Sequence, residues 1–219
     1  MNPGTTLGVA KDRHAYNLIR QKIMSGEFGP NARLTAAELA GDAGVSIGPV
    51  REAIRRLEAE GLVSYRPSVG ATVIALDRGE LLDTLRTLAI LEGAATALAA
   101  PLLTCEDIER LEQHNVAMET ALADGDIEAV SKHNRAFHKA CHSRCPNLWL
   151  LELLQKTAER THVGRRSFFH NATSRPHASL AEHRELLQLI RESAPAIVIE
   201  ETVRRHKART IERAKAETY

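Results

Sequence analysis

Only one short stretch of this 219-residue chain has a strand-like pattern, and three helical segments precede it. Residues 62–66 (Leu-Val-Ser-Tyr-Arg) and 71–74 (Ala-Thr-Val-Ile) are β-like runs joined by the turn-rich segment 67–70 (Pro-Ser-Val-Gly). From Asp77 onward the apolar residues recur only at the spacing typical of helices. This order restricts the chain to a domain of three helices and a hairpin, followed by an all-helical part.

The sequence predicts a loose tail at residues 1–12, a winged helix-turn-helix domain at 13–75 and a helical bundle at 77–219. Leu81, Leu85, Leu88, Ala95 and Ala99 lie on one helical face at the start of the bundle. Further helices are predicted at about 105–123, 126–144, 147–169, 178–193 and 196–216. Six helices of this length with short connections are typical of an antiparallel bundle, so the fold class is mostly α.

The helix-turn-helix core is predicted at about residues 36–55. Thr35 and Glu38 have the spacing of a capping box, which places the start of a short helix at residue 36. Gly44 ends that helix and permits the tight turn of the motif. Ser46 then caps a third helix, the one that would read DNA.

The third helix has two distinct faces. Val50, Ile54 and Leu57 recur at helical spacing and are expected to face inward. Arg51 and Arg55 share another face, where they are available for phosphates or base edges. Double-stranded DNA is therefore the expected partner, although the same domain used only for protein contacts would leave these arginines as a solvated surface.

Further contacts to DNA are expected around this helix. Thr35 and Ser46 lie at helix starts, where exposed N–H groups favour a phosphate. Arg66 and Gly70 lie near the tip of the hairpin, the predicted wing, and a glycine there lets the backbone approach a groove closely.

Overall charge excludes a polycationic protein. Lys plus Arg number 29 against 28 Asp plus Glu, and residues 1–76 hold nine basic and seven acidic side chains. DNA affinity should then depend on a few placed arginines and on dimerisation. The sequence shows neither a run of about 20 apolar residues nor a secretory signal. Its odd set of cysteines (Cys105, Cys141 and Cys145) is consistent with reduced thiols. We therefore expect a cytoplasmic protein with no membrane partner.

Histidines are concentrated in the predicted bundle, which contains nine of the ten. His138, His183 and His206 fall on three different helices among apolar residues, so three imidazoles could converge on a divalent metal. Asn134 lies four residues before His138 and adds an amide oxygen on the same face. Each histidine taken singly could equally be a surface residue or a hydrogen-bonded core residue.

A competing metal site would combine His138 with Cys141, His142 and Cys145. Pro146 follows directly and ends the helix, so these thiols fit a core or loop position better than a metal site.

The first domain resembles the GntR family of bacterial transcription regulators. The resemblance rests on segments 34–40 (Leu-Thr-Ala-Ala-Glu-Leu-Ala), 44–46 (Gly-Val-Ser) and 49–63, with the lead-in at 23–34. It implies operator binding through the winged helix. Most members carry Arg-Thr where this chain has Ile47-Gly48, at positions that help contact the operator. Ile47 cannot hydrogen-bond a base but could touch a thymine methyl, which implies a different operator sequence.

The second domain resembles the FCD effector domain of the FadR subfamily. The matching segments contain Asn134-x-x-Phe137-His138, then Glu182-His183-Arg184, then Arg204-Arg205-His206. The resemblance implies a metal such as zinc or nickel, held by Asp and three His, with Asn134 in place of the Asp. An amide oxygen is a weaker ligand than a carboxylate, so metal binding should be weaker or depend more on an effector.

The same resemblance implies that Arg86, six residues before Glu92, holds the carboxylate of the effector; a surface ion pair is the alternative.

Together these features predict a regulator, most often a repressor in this family, that binds a palindromic operator as a homodimer and responds to a small carboxylate effector. A second hypothesis replaces the metal by a metal-free pocket for an acyl-CoA or lipid, which the three histidines argue against. A third, a metal-dependent hydrolase, lacks an H-E-x-x-H or nucleophile motif, so no enzyme is expected.

Overall fold

The computed structural model describes residues 3–67, 69–166 and 176–216. The chain divides into two compact units. The first contains the residues up to Leu81 and a segment that begins at Ala158, and the second contains the remainder. The sequence-based boundary at 75–77 stays a prediction, and it did not include the later segment.

The first unit is a winged helix-turn-helix. Its elements are α1 (Pro3–Ser25), β1 (Arg33–Leu34), α2 (Ala36–Ala43), α3 (Ile47–Ala59), β2 (Val63–Arg66) and β3 (Gly70–Val73). Ile19 and Ile23 from α1 are fully buried with Val50 and Leu57 from α3. The three helices therefore enclose an aliphatic core, in keeping with an aromatic content of only 4%.

Helix α1 begins ten residues earlier than the periodicity predicts. It starts at Pro3, so the expected loose tail is helical from that residue onward. A proline is well tolerated at the first helical position, where its missing N–H has no intrahelical partner. Gly4 and Gly8 weaken a helix without preventing one.

The turn between α2 and α3 matches the prediction, whereas the caps do so only in part. Gly44 has a left-handed backbone, with φ of 62°, and its N–H bonds the end of α2. Thr35 and Ser46 occupy the N-cap positions, but neither side chain makes a capping hydrogen bond. The expected capping box between Thr35 and Glu38 is therefore wrong, and extended backbone alone starts the helix.

The hairpin is part of a three-stranded antiparallel sheet with strand order β1-β3-β2. Arg66 pairs with Gly70 at the tip end of the hairpin, and Leu34 pairs with Ala71 on the other side of β3. β1 was not predicted, because a strand of two residues has no detectable period.

The second unit is built from helices. Its elements are α4 (Arg78–Ala99), a 3-10 turn (Ala100–Leu102), α5 (Cys105–Ala123), α6 (Ile127–Cys141), α7 (Leu148–Arg165), α8 (Pro176–Arg191) and α9 (Ala196–Ala216). The first residues of α4 and the last of α7 belong to the first unit. Helix α6 ends three residues earlier than predicted and α8 begins two residues earlier. The predicted end of α7 at residue 169 lies outside the described residues.

The end of α7 is an integral part of the first unit. Arg166 donates to the carbonyls of Ile23 and Met24 at 2.9 and 2.8 Å. Arg160 donates to the carbonyl of Gly61 at 3.2 Å. These guanidinium groups bind carbonyls in the last turn of α1 and just beyond the end of α3.

Contrary to the expectation from the sequence, helix α4, with the turn that follows it, is long and apolar enough to cross a membrane by length and composition alone. Half of its apolar window is buried within the chain, as in the core helix of a soluble protein. Leu81, Leu85 and Leu88, which the sequence assigns to its inner face, are all buried.

Candidate metal centre and nucleic-acid interface

Helix α3 presents a stripe of exposed residues on one face. Ile47, Arg51 and Arg55 follow one another at four-residue intervals, and all three are exposed. The opposite face, with Val50 and Leu57, is buried. The exposed stripe therefore has both the charge and the accessibility to meet DNA.

The remaining residues predicted to contact DNA also lie at accessible positions. Ser46 and Gly48 are exposed at the start of α3, and Thr35 is half-buried at the start of α2. Arg66 is exposed on the wing, and Gly70 opposite it has φ of 88°, a backbone conformation that favours glycine.

Three imidazoles converge inside the second unit. One potential ligand nitrogen from each of His138, His183 and His206 lies within 4.8 Å of the others. His138 Nε2 and His206 Nε2 are 3.2 Å apart. All three side chains are buried, on α6, α8 and α9 respectively. This is the convergence that the spacing of the histidines predicted.

Packing around the rings holds them in place. Phe137 stacks on His183 with a centroid distance of 3.9 Å and meets His138 edge-on at 5.7 Å. Leu186 and Val203 line the same small cavity as the histidines. Phe137 and His138 are neighbours on α6. One turn of that helix therefore supplies both His138, a candidate metal ligand, and the aromatic ring that orients His183.

Hydrogen bonds at the far side of two rings set which nitrogen faces the cavity. His206 Nδ1 lies 2.6 Å from Glu182 Oε2, and since a carboxylate only accepts, Nδ1 must donate. His183 Nδ1 lies 3.1 Å from Asn115 Oδ1, while the amide nitrogen of Asn115 donates to the carbonyl of Leu180. In both rings the Nε2 lone pair therefore remains available to coordinate a metal ion.

Burial lowers the pKa of all three histidines. The pKa values of His138 and His183 lie well below the ordinary histidine value, because burial disfavours the charged ring and neighbouring cations add repulsion. The pKa of His206 is lowered less, since the bond to Glu182 opposes the effect of burial. Neutral imidazoles are the form that coordinates a metal.

His183 Nε2, within the cluster, and Asn134 Oδ1, one turn before His138 on α6, are buried atoms without a hydrogen-bond partner. An unsatisfied buried acceptor costs roughly 1–3 kcal/mol, so such atoms call for a ligand. Three convergent imidazole nitrogens suit a first-row divalent metal, so the three histidines fit the metal that the sequence predicts. Asn134 is not among the described residues that line their cavity, and its role as a fourth ligand stays a prediction.

Three buried or nearly buried partners of the histidines were not assigned a role from the sequence: Asn115, Glu182 and Glu92. Glu92 Oε2 lies 3.6 Å from His138 Nδ1 and forms an ion pair with Lys207 at 2.7 Å. Glu182 and Glu92 lie in segments that resemble the FCD domain, but neither had a role there, and Asn115 lies in no motif. Only the register between packed helices brings them to the rings.

Arg86 is not brought to the cavity. It lies on the exposed face of α4, its side chain is 53% accessible, and it pairs with Asp83 at 2.7 Å. Arg86 is also not among the described residues that line the cavity. The structure thus shows the surface ion pair that was the alternative reading of this position.

The competing site that uses cysteines is not assembled either. The histidine cluster contains neither Cys141 nor Cys145. Burial raises the pKa of the Cys141 thiol, which disfavours the thiolate that a metal requires. The Cys145 thiol instead faces the carbonyl of Asn147 at 3.9 Å.

Both parts of the chain match described families. Residues 11–73 match the family described as bacterial regulatory proteins, gntR family, and residues 83–209 match the FCD domain. The chain is 30% identical over 174 residues to the HTH-type transcriptional regulator McbR of Escherichia coli (strain K12), covering 80% of this chain and 77% of that protein. It is 28% identical over 151 residues to the HTH-type transcriptional repressor GlaR of the same strain, covering 64% and 66%.

The solved structure of E. coli McbR/YncC has the same fold. It superimposes with a TM-score of 0.75 at 25% sequence identity and covers 94% of this chain and 95% of that one.

The fold, the matched family models and the relatives, all of them transcription regulators, define a DNA-binding transcription regulator with a helical effector domain. The chain belongs to the GntR family and carries an FCD domain behind its winged helix.

Proposed function

We propose that this protein is a cytoplasmic repressor that binds a palindromic operator as a homodimer and releases it in response to a small carboxylate effector. The histidine cluster supports this proposal most directly, because a buried set of three neutral donors is suited to a metal whose coordination an effector can complete. The repressor role is suggested by GlaR, a relative described as a repressor.

Operator binding is proposed for the exposed stripe of α3 and for the wing. Arg51 and Arg55 would contact phosphates or guanine edges, and Ile47 would contact a thymine methyl. Thr35, Ser46 and Gly48 would approach phosphates at the helix starts, and Arg66 and Gly70 would enter the neighbouring groove.

The metal is proposed to be zinc or nickel, held by Asn134, His138, His183 and His206. These four side chains carry no negative charge, so a divalent ion in their midst keeps its full charge. When bound, the metal would act as a Lewis acid that attracts carboxylate oxygens. An anionic effector is therefore favoured over a neutral one.

The lining of the cavity also argues against the alternative of a metal-free acyl-CoA or lipid pocket. It consists of His138, Glu182, His183, Leu186, Thr202, Val203 and His206. Only two of these seven side chains are aliphatic, whereas a site for an acyl chain is lined predominantly by apolar groups.

Homodimerisation is proposed through apolar side chains that the second unit leaves exposed on α4 and α7. Leu148 is 78% accessible and Trp149 is 66% accessible, with Ile90 and Leu98 half exposed on α4. Large exposed apolar groups of this kind commonly mark an interface between proteins.

Metal content tests the proposal. Freshly purified protein should contain close to one first-row metal per chain by elemental analysis, and His183→Ala should lose it. His133→Ala is the matched control, because His133 is a half-buried histidine of α6 outside the cluster. Metal content near zero in the wild type, or equal loss in both variants, would overturn the metal proposal.

The effector is tested with the same protein. Small mono- and dicarboxylates are screened by thermal shift with and without a chelator, and compounds that stabilise it are added to complexes with DNA from upstream of its own gene. We expect stabilisation only without chelator, together with loss of DNA binding measured by fluorescence anisotropy. Stabilisation that survives the chelator would contradict coordination of the effector by a metal.

A further inference from the structure

With Asn134 in place of an aspartate, the proposed metal site has no charged ligand. The buried carboxylate of Glu182, however, lies directly behind one of the histidines, His206. The Glu182 side chain is only 9% accessible and is in contact with a ring of the cluster through its Oε2. Burying a carboxylate is costly unless it is paired, and the Glu182 carboxylate is paired with both His206 and Arg209.

We propose that Glu182 is a positioning residue that supplies, through His206, the negative charge that Asn134 does not. This inference rests on the proposed metal function and names a residue that sets the affinity for the metal. Glu182 does not itself need to touch the ion.

The hydrogen bonds of Glu182 carry the argument. Its Oε2 accepts from His206 Nδ1 at 2.6 Å, a short contact, as is typical of hydrogen bonds to a charged carboxylate. This contact directs the Nε2 lone pair of His206 toward His138 Nε2. A carboxylate behind an imidazole raises the basicity of the ligating nitrogen and locks the orientation of the ring.

A neutral counterpart at the next histidine shows what the charge adds. The Nδ1 of His183 is held by the amide oxygen of Asn115 at 3.1 Å, which fixes the tautomer but brings no charge. Of these two orienting contacts, only the one at His206 is ionic. The affinity for a cation should therefore depend more strongly on Glu182 than on Asn115.

Arg209 competes for the same carboxylate. Its Nη1 donates to Glu182 Oε1 at 2.7 Å, and its side chain is 49% accessible. The guanidinium draws part of the negative charge of Glu182 away from His206. Removing Arg209 should therefore strengthen metal binding, the opposite of what removing the glutamate charge should do.

The first experiment compares Glu182→Gln with Glu185→Gln. Glu185 is a matched control, because it lies one turn later on α8 and pairs with Arg205 of α9 at 2.6 Å, but its side chain is 48% accessible. Zn²⁺ affinity is measured by competition with a colorimetric chelator, on metal-free protein whose folding is checked by circular dichroism. We expect Glu182→Gln to weaken binding by roughly 10–100-fold and Glu185→Gln to leave it within about twofold.

Two further variants keep the proposal falsifiable if Glu182→Gln folds poorly. Arg209→Gln should tighten Zn²⁺ binding, whereas a purely structural role for the ion pair predicts weaker binding or none. Adding Asn134→Asp to Glu182→Gln should restore most of the lost affinity, because a carboxylate then returns to the site. Equal affinity of Glu182→Gln and wild type, or weaker binding in Arg209→Gln, would overturn the proposal.

Failure of this inference can be distinguished from failure of the proposed function. A wild-type protein that does not retain Zn²⁺ at all contradicts the metal site itself. A wild type that binds one equivalent, with Glu182→Gln indistinguishable from it, contradicts only the role of Glu182.

Discussion

At the scale of single residues, metal binding and stability are both expected to depend on buried polar side chains, some with hydrogen-bond partners and some without. Asn134 Oδ1 is buried with no hydrogen-bond partner. Asp107, in contrast, is buried and bonded several times, to Arg144 at 2.8 Å and to the N–H of Thr104 at 3.1 Å. The unpartnered oxygen of Asn134 can still accept a bond from a ligand, whereas the bonded carboxylate of Asp107 stabilises the fold.

Asn134→Asp should tighten Zn²⁺ binding by about tenfold or more, which corresponds to about 1.4 kcal/mol, because a carboxylate oxygen replaces a neutral amide oxygen. Chelator competition on metal-free protein measures the change. Asn147→Asp serves as a control, since Asn147 caps α7 at the surface and Asp caps equally well. Unchanged or weaker Zn²⁺ binding in Asn134→Asp would remove this residue from the ligand set.

Asp107→Asn should lower the melting temperature at neutral pH but much less in acid. The bond from Arg144, with the backbone bond from Thr104, lowers the pKa of Asp107 to about 2 in the folded protein. In the unfolded chain it is about 3.9. The stabilisation is therefore complete above that value and disappears as pH falls toward about 2.

The melting temperatures of metal-free wild type and Asp107→Asn should accordingly converge as the pH falls from about 4 to about 2, the range between the unfolded and folded pKa values of Asp107. A constant difference across that range would show that the charge of Asp107 does not stabilise the fold.

At the scale of elements, the end of α7 is held against the winged helix by close packing as well as by arginines. A Cβ added to Gly164 of α7 would lie 2.4 Å from Leu76 Cδ1, well inside van der Waals contact. Leu76 is buried, so it has little freedom to move aside. Glycine is needed here for lack of space, and not for its backbone freedom.

Gly164→Ala should destabilise the protein by ~1–3 kcal/mol, in spite of the better helix propensity of alanine. Gly41→Ala should instead stabilise it by ~0.5–1 kcal/mol, because Gly41 lies inside α2 with no atom within 4 Å of an added Cβ. Urea unfolding compares the two variants. The same sign in both would contradict the packing of α7 described above.

For α3, Arg51→Ala should weaken binding to operator DNA by about 1–3 kcal/mol and reduce its salt dependence. Arg110→Ala is the control, since Arg110 is an exposed arginine of α5 that pairs with Glu106. Fluorescence anisotropy at two or more salt concentrations measures both quantities. An unchanged affinity in Arg51→Ala would remove this residue from the interface.

At the scale of the whole molecule, the chain is nearly neutral, with a net charge of +1. We therefore expect the affinity for DNA to depend on a few placed arginines and on avidity from the two copies of the proposed homodimer. The exposed apolar side chains of α4 and α7 are the surface that we propose for this association.

Trp149→Lys should shift the protein toward monomer and reduce operator affinity by about tenfold or more, because the second binding event is then no longer intramolecular. Analytical ultracentrifugation reports the oligomeric state. Val116→Lys is the control, as Val116 is an exposed apolar residue of α5. A dimer of undiminished stability in Trp149→Lys would place the interface elsewhere.

The sequence by itself determined the order of the helices and the hairpin, the helix-turn-helix with its glycine at position 44, and the three histidines that converge in the bundle. Each of these depends on local spacing along one helix or turn. The partners of the rings, Asn115 and Glu182, could not be predicted in this way, because they lie 68 and 24 residues from the histidines they bond.

Tertiary structure decided the remaining features. It placed Arg86 at the surface, although its spacing from Glu92 matched an effector site, because the face that a helix buries depends on what packs against it. It also brought the end of α7 into the first unit, through contacts more than 90 residues apart in the chain. Local pattern defines which groups are available, whereas only the packing of helices determines which of them meet.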